Sequence, residues 1–284
     1  MKKLLIQLDS DDKASVFDQV VAYDAGVDHV ISIPGIRPHD VQPLVHGAMF
    51  TRGGDDLKNT AIFIGGSDVA LGEELLDETV GTFFGAVQVS VMHDSNGCNT
   101  TAAAMVQKIV RAVAVRGKRA AVLGGTGPVG TRAAVLLAGE GAEVLLFSRQ
   151  HGRAVAVCQR IKEKFGEEIK PYAAASPAEL AEALVGVQIL VAAGKAGVQL
   201  LSRDAWSRLE ALEVMADVNA VPPAGLEGVE IMDDGLVREG KICFGPIAIG
   251  GLKMKIHRTC VQKLFTRNDL VLTAKEIYRL AGSL

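Results

Sequence analysis

The chain has 284 residues, of which 49% are hydrophobic and 22% charged, with a formal net charge of −3. That length fits one large or two ordinary domains. The scatter of Lys and Arg, without basic excess, excludes a nucleic-acid surface of the usual kind. No apolar run is long enough for a membrane helix, since the longest, Ala183 to Gly194, is short and contains Gln188. The apolar N-terminal run stops at Asp9, Asp11 and Asp12, unlike a signal peptide. Cys98, Cys158, Cys243 and Cys260 lie far apart, with no CxxC and no His at metal spacing. They read as reduced thiols of a cytoplasmic protein, and no metal site is expected.

The first third alternates strand and helix. Leu4–Leu8 reads as a buried strand. Ser15 caps a helix running to about Tyr23, with Val16, Phe17, Val20 and Val21 as its apolar face. Asp18 falls near the start of that helix, where the dipole alone would account for an acid. Val27–Ile33 is a second strand, closed by Pro34-Gly35, and a helix runs from Arg37-Pro38 to about His46. Asn59–Gly66 is a third strand. Asp68 opens a helix through Leu71, Leu75 and Leu76, and Val87–Met92 is a fourth strand. Four strands separated by helices make a small parallel α/β domain.

The fourth strand runs into the polar stretch His93-Asp94-Ser95-Asn96-Gly97-Cys98-Asn99-Thr100-Thr101, before a helix over Ala102–Val115. Ligands of open α/β sheets bind beyond the carboxyl ends of strands. Asp94, Asn96, Gly97, Asn99 and Thr100 are therefore candidate substrate contacts, although a helix cap and loop would need only one or two of them.

Arg116–Arg119 links to a second segment. There Ala120–Leu123 is an apolar strand, followed by Gly125-Thr126-Gly127-Pro128-Val129-Gly130 and an apolar helix through Leu136 and Leu137. In this dinucleotide fingerprint the first glycine permits the turn and the second admits the pyrophosphate. The third lets helix and strand pack closely, and the helix N-terminus faces the phosphates. The next strand, Glu143–Phe147, ends in Ser148-Arg149 with no carboxylate for a ribose. Ser148 and Arg149 suit a 2′-phosphate, which favours NADP and still admits NAD. Helices follow at His151–Phe165 and Ala178–Val185. The strand Val187–Gly194 ends in Ala193-Gly194, small enough to lie beside a nicotinamide ribose. Val214–Asn219 is the next strand, and Asp217 and Asn219 either reach the cofactor edge or begin a turn. Gly245–Gly251 reads as a flexible apolar stretch leading into a helix. Lys253 and His257 share one face of that helix, as a solvated basic stripe or as part of a site. A last helix spans Thr273–Ala281. The reading divides the chain into a substrate domain at 1–112, a Rossmann domain at 113–250 and closing helices at 251–284 packed back on the first domain.

Several stretches coincide with one family: Ser15-Val16-Phe17-Asp18, Thr51-Arg52-Gly53-Gly54, Thr60–Gly66, Asp94-Ser95-Asn96-Gly97, Asn99–Ala104, Gly125–Gly130 and Gly250-Gly251-Leu252-Lys253 through His257-Arg258. Together they cover nearly the whole chain, which resembles the NAD(P)-dependent methylene-tetrahydromethanopterin dehydrogenases of one-carbon metabolism. The resemblance implies an α/β fold of two domains, an N-terminal parallel α/β pterin domain and a Rossmann-type NADP domain, with a cleft between them. It implies reversible oxidation of the methylene-tetrahydropterin to the methenyl form, in formaldehyde oxidation, and a homotrimer or hexamer. It places a catalytic acid at Asp18 and a catalytic lysine at Lys253, with His257 as a substrate contact. Tetrahydrofolate is the alternative pterin. The Tyr-x-x-x-Lys signature of bifunctional folate enzymes is not found near the first helix, because Tyr23 has Val27 four residues on. A third reading, an NADPH-sensing regulator without turnover, has no use for a second polar ligand site.

Overall fold

The computed structural model describes residues 1–284. In chain order the elements are β1 (Leu4–Asp9), α1 (Val16–Asp24), β2 (His29–Ile33), α2 (Pro38–Phe50), β3 (Thr60–Gly65), α3 (Val69–Gly81), β4 (Ser90–His93) and α4 (Cys98–Ala112). Then come β5 (Arg119–Leu123), α5 (Pro128–Gly139), β6 (Glu143–Ser148), α6 (His151–Phe165), β7 (Lys170–Ala173), α7 (Pro177–Ala183) and β8 (Ile189–Ala192). The chain ends with α8 (Arg203–Ser207), β9 (Val214–Asp217), β10 (Asp234–Arg238), β11 (Lys241–Phe244), α9 (Pro246–Leu264), β12 (Val271–Leu272) and α10 (Ala274–Ala281). It divides into two compact units, one of residues 1–100 with 254–284 and one of residues 101–253. These divisions fall within α4 and α9, where the sequence reading set them at 112/113 and 250/251.

The first unit is built on a five-stranded sheet in the order β2-β1-β3-β4-β12, with every pair parallel. β3, Thr-Ala-Ile-Phe-Ile-Gly, is buried at all six positions. That is why its sequence reads as a continuous apolar run rather than an alternation. Leu8, Ile62, Ile64 and Val91 of the strands pack with Val41, Val45 and Met49 of α2 and Leu75 of α3. The strand order reverses between β1 and β3, which are paired through Asp9 and Gly65 at their carboxyl ends. A ligand crevice of a doubly wound sheet opens at such a reversal.

The second unit holds a seven-stranded sheet, β7-β6-β5-β8-β9-β11-β10, parallel except for the terminal β10–β11 hairpin. Its first six strands follow the Rossmann order, and the reversal lies between β5 and β8. Trp206, Leu190, Met215 and Leu226 anchor a core on one face.

Three expectations need correction. In α1 three of the four residues read as the packed face are outside: Val16 is 70%, Phe17 50% and Val20 52% exposed. Val21, the fourth, is buried together with Ala22 and Ala25. These lie at i+3, i+4 and i+7 from Asp18, so the inward stripe of α1 is the one that begins with Asp18. The helix after the polar stretch does not begin at Ala102 either. The helix starts at Cys98, four residues early, because Asp94 Oδ1 accepts from the backbone N–H of Asn99 and Thr100. Finally, Gly245–Gly251 is no flexible segment. α9 starts at Pro246, whose fixed φ suits a first turn, and runs straight through Gly250 and Gly251. The sequence reading also lacked β12, which pairs Val271 with Val91 and Leu272 with Met92.

A Cβ added to Gly251 would have nothing within 4 Å, and its φ is not in the left-handed range. Gly251→Ala should therefore stabilise the protein by roughly 0.5–1 kcal/mol through helix propensity alone. Denaturant midpoints of the two proteins check this, and an unchanged or lower midpoint contradicts a continuous α9.

Candidate functional site

In the second unit the sequence fingerprint closes the β5–α5 turn. The left-handed residue is Gly124, at φ +68°, and not Gly125. A Cβ on Gly124 would lie 2.6 Å from Gly194 Cα, so this turn and the end of β8 touch backbone to backbone. Gly125 is tight for another reason: its Cβ would lie 2.6 Å from Leu146 Cγ of β6. At Gly130 a Cβ would lie 2.6 Å from the Gly124 carbonyl oxygen, the close helix–turn packing expected of the third glycine. Gly127 differs from all of these. Its Cβ would make only ordinary contacts, 3.4 Å to Gly124 O and 3.7 Å to Ala193 O. The fold therefore does not need a glycine at Gly127, whereas a pyrophosphate approaching the backbone does. Gly127 is the N-cap of α5 and supplies no side-chain cap, and Pro128 occupies the first turn, so the amide groups of Val129 and Gly130 remain directed at an incoming anion. Thr126 is half-buried within the turn. The residues present thus fit a dinucleotide.

Around this cradle, Ser148 Oγ accepts from the Gln150 backbone N–H (3.2 Å), which leaves its hydroxyl proton free to donate. Arg149 is exposed beside it. Ala193 is nearly buried and donates its N–H to Leu123 O. Asn219 is already engaged: its Oδ1 accepts from Gly197 N (3.2 Å) and Val221 N (3.0 Å), and its Nδ2 donates to Pro223 O (2.8 Å). It braces the loop after Gly194. Asp217 braces Asn219 N and Leu226 N in turn, and burial pushes its carboxyl above the usual range.

In the first unit the carboxyl ends of β1 and β3 gather a second constellation. A Cβ on Gly65 would lie 3.2 Å from the Phe63 ring, 3.3 Å from Asp9 Oδ2 and 3.5 Å from Asp18 Oδ2. Both carboxylates thus converge on the bare backbone of Gly65, Asp9 fully buried and Asp18 half-exposed. His257 of α9 is buried and stacks on Phe63, with centroids 5.4 Å apart and rings inclined by 20°; the Phe17 ring lies 6.4 Å from it, tilted by 41°. His257 therefore backs the constellation instead of facing solvent. Arg258 reaches Asp24 of α1 at 3.9 Å, a second tie between α9 and α1. Cys260, one turn beyond Ile256, lies near Asp94, and burial with that charge pushes its thiol up to about 12. Lys253, half-buried, stands one turn before His257 on the same face of α9.

The polar stretch after β4 divides into two groups. Asp94, Asn99 and Thr100 are buried. Asp94 Oδ2 accepts from Thr100 Oγ1 (2.5 Å), and Asn99 Nδ2 donates to His93 O (2.6 Å). These side chains build the turn. Asn96 is exposed, at φ +54°, with its N–H donating to Gly66 O at 2.7 Å, and Gly97 follows half-exposed at φ +57°. Only Asn96 and Gly97 of this group present themselves to a solute, beside the β3 end. Asp9, Phe63, Gly65 and Gly124 were not anticipated as site residues. Their signal is topological, and the strand order is needed to see it.

A model of the family described as methylene-tetrahydromethanopterin dehydrogenase, N-terminal, matches residues 16–96. That span holds Phe17, Asp18, Phe63 and Gly65. A protein of Methylorubrum extorquens called NAD(P)-dependent methylenetetrahydromethanopterin dehydrogenase is 31% identical over 94% of this chain and 93% of its own. The chain belongs to the methylene-tetrahydromethanopterin dehydrogenase family. A second relative from the same organism, called bifunctional protein MdtA, is 46% identical over 99% of this chain and 98% of its own. A shikimate 5-dehydrogenase structure from Mycobacterium fortuitum shares the fold, with a TM-score of 0.53 at 17% identity, covering 99% of this chain and 98% of its own.

Two predictions follow from how the glycines and asparagines are used. Gly127→Ala should leave the melting temperature within a few degrees but weaken dinucleotide binding at least about tenfold, because its Cβ meets ligand and not protein. Gly130→Ala should instead cost roughly 1–3 kcal/mol of stability through overpacking. Calorimetry on both variants separates the two, and equal behaviour contradicts the assignment. Asn99→Ala should cost roughly 1–3 kcal/mol by leaving His93 O buried without its donor. Asn96→Gly relieves a left-handed residue, so it should keep stability while raising the substrate KM severalfold. A normal KM removes Asn96 from the site.

Proposed function

We propose that this chain catalyses the reversible oxidation of methylene-tetrahydromethanopterin to its methenyl form with NADP, NAD being the weaker alternative, as a step of one-carbon metabolism in the cytoplasm. The observation that carries the reading is the Asp18 carboxylate, turned inward at Gly65 where the strand order of the first sheet reverses. Family membership and the Gly127 cradle support it. When bound, NADP supplies the hydride acceptor.

The one-carbon unit lies between two nitrogens whose lone pairs drive hydride departure, so no strong base is needed. The protein's task is orientation and electrostatics. The methenyl product is a cation, and the Asp18 carboxylate stabilises that charge as it develops. Lys253 donates a hydrogen bond to the pterin. Asn96 has paired donor and acceptor atoms for the pterin's amide edge, held in place by Asp94, Asn99 and Thr100. His257 and Phe63 support the floor on which Asp18 rests. At the other site Ser148 and Arg149 take the 2′-phosphate, with Gly125 to Gly130 around the pyrophosphate. The loop braced by Asn219 and carrying Ala193 and Gly194 lies along the nicotinamide ribose. The reading includes a homotrimer or hexamer. No helix is long and apolar enough to cross a membrane, and the four cysteines are free and buried, which suits a reducing compartment.

The test is a steady-state assay with methylene-tetrahydromethanopterin and methylene-tetrahydrofolate against NADP and NAD. Methenyl formation by wild type is the expected result, and its absence with every pair overturns the reading. Lys253→Ala should lower kcat/KM for the pterin at least about tenfold with NADP affinity nearly unchanged. Arg149→Ala should weaken NADP roughly 10- to 100-fold, the worth of a charged hydrogen bond, and leave NAD alone. Equal losses for both cofactors contradict the phosphate assignment.

A further inference from the structure

β1 is paired on both sides, with β2 and β3, yet it carries two buried polar residues, Gln7 and Asp9. A buried carboxylate costs several kcal/mol unless hydrogen bonds repay its lost hydration. Asp9 has three donors. Its Oδ1 accepts from Asp11 N (3.0 Å), and its Oδ2 accepts from Ser15 N (2.9 Å) and from Gln7 Nε2 (3.2 Å). The Gln7 amide also donates to Ser15 O (3.3 Å) and is fixed at its oxygen by Ser32 Oγ (2.7 Å). Ser15 is thus gripped at both its N–H and its carbonyl. Ser15 is the N-cap of α1, and its Oγ accepts from the backbone N–H of Asp18 (3.2 Å). The bonds run Ser32, Gln7, Asp9, Ser15, Asp18. Apolar residues in β1 would serve the core as well, and one cap would start the helix. What the arrangement adds is a fixed position for the first turn of α1 relative to the end of β1.

We propose that Asp9, with Gln7 and Ser15, is a positioning set that holds the Asp18 carboxylate over Gly65. Asp9 is sealed from solvent and does not touch the substrate; it acts through Asp18. The proposal rests on the role given to Asp18 above. Asp9→Asn is nearly isosteric, but it turns an NH2 group toward a backbone N–H that Asp9 now accepts from, which repels the loop and lets the first turn of α1 shift. A charge-stabilising carboxylate that moves loses most where positive charge has developed, in the transition state and the methenyl product.

The experiment is a double-mutant cycle on full-length protein with Asp9→Asn, Asp18→Ala and both together, beside Ser15→Ala and Ser15→Thr. It reads kcat, KM for methylene-tetrahydromethanopterin and NADP, inhibition by the methenyl product, and melting temperature. Asp9→Asn should lower kcat about fivefold or more and weaken methenyl inhibition by a similar factor, with both KM values within about twofold. In the Asp18→Ala background the same change should alter kcat less than about twofold, because the group it positions is gone. Ser15→Ala should lower kcat about threefold and Ser15→Thr, which can still cap, should restore it. A merely structural Asp9 would lower the melting temperature and multiply with Asp18→Ala, which overturns the proposal. So does a crippled Asp18→Ala beside a fully active Asp9→Asn, and that pattern leaves the proposed reaction intact. If Asp9→Asn does not fold, the Ser15 pair decides: equal kcat in Ser15→Ala and wild type overturns the proposal. Wild-type turnover in Asp18→Ala removes the role of Asp18 and this proposal together, while methenyl production by wild type still upholds the reaction.

Discussion

Parallel strands cannot be joined by a tight turn, so each pair needs a crossover on one face of the sheet. When successive crossovers leave a central strand toward opposite faces, the loops at its carboxyl end part and open a crevice. Both sheets here are subject to this constraint, at β1/β3 and at β5/β8. Each unit gathers a glycine-centred cluster at its own reversal. At β5/β8 the parted loops are brought back into contact by Gly124 and Gly194, whose backbones meet where any side chain would separate them. At β1/β3 the loops converge on Gly65, and Asp9, Asp18 and Phe63 surround its missing side chain. In both crevices a glycine gives the space and neighbouring elements give the charge or the donors.

The two crevices differ in what holds them. The dinucleotide cradle is mostly backbone: a capless helix start, three close glycine contacts and a loop braced by Asn219. Backbone amides bind phosphate without regard to side-chain rotamers, so the cradle needs little support. At β1/β3 a short carboxylate on a nine-residue helix faces Gly65. A helix of that length is marginal alone, and α1 buries little apolar area, since Val16, Phe17 and Val20 are outside. Its position therefore rests on polar anchors at its N-terminus and on His257 and Arg258 of α9 at its side.

The parallel α/β character, the dinucleotide fingerprint and most strands are legible in the sequence because they depend on local signals: apolar runs, glycine spacing and turn residues. The errors arise where local signals conflict with tertiary ones. Val16, Phe17, Val20 and Val21 read as a face because they are apolar, but the stripe through Asp18, Val21, Ala22 and Ala25 has the better helical spacing and is the one packed. Glycine pairs read as breaks, yet Gly250 and Gly251 lie inside α9 because the flanking turns supply enough packing through Ile249, Ile256 and Cys260. Asp94 looked like one of several ligand groups, and only its bonds show that it starts α4. Asp9 had no local signal at all, since a strand-end acid gains meaning only from its neighbours across the sheet.

The continuity of α9 changes what Lys253 can do. A lysine on a flexible glycine hinge would sample many positions, and ordering it on binding would cost entropy. On an unbroken helix Lys253 and His257 are separated by one turn, about 6 Å along the axis. His257 is itself fixed by the Phe63 ring and by burial. The backbone of α9 therefore runs unbroken from Lys253 to His257. Gly250 adds to this, since it lies on the same face as Lys253 and His257 and a Cβ there would meet nothing within 4 Å. The helix gives up about 1 kcal/mol of propensity at such a position. In return the helix surface at Gly250 stays open at the level of the backbone.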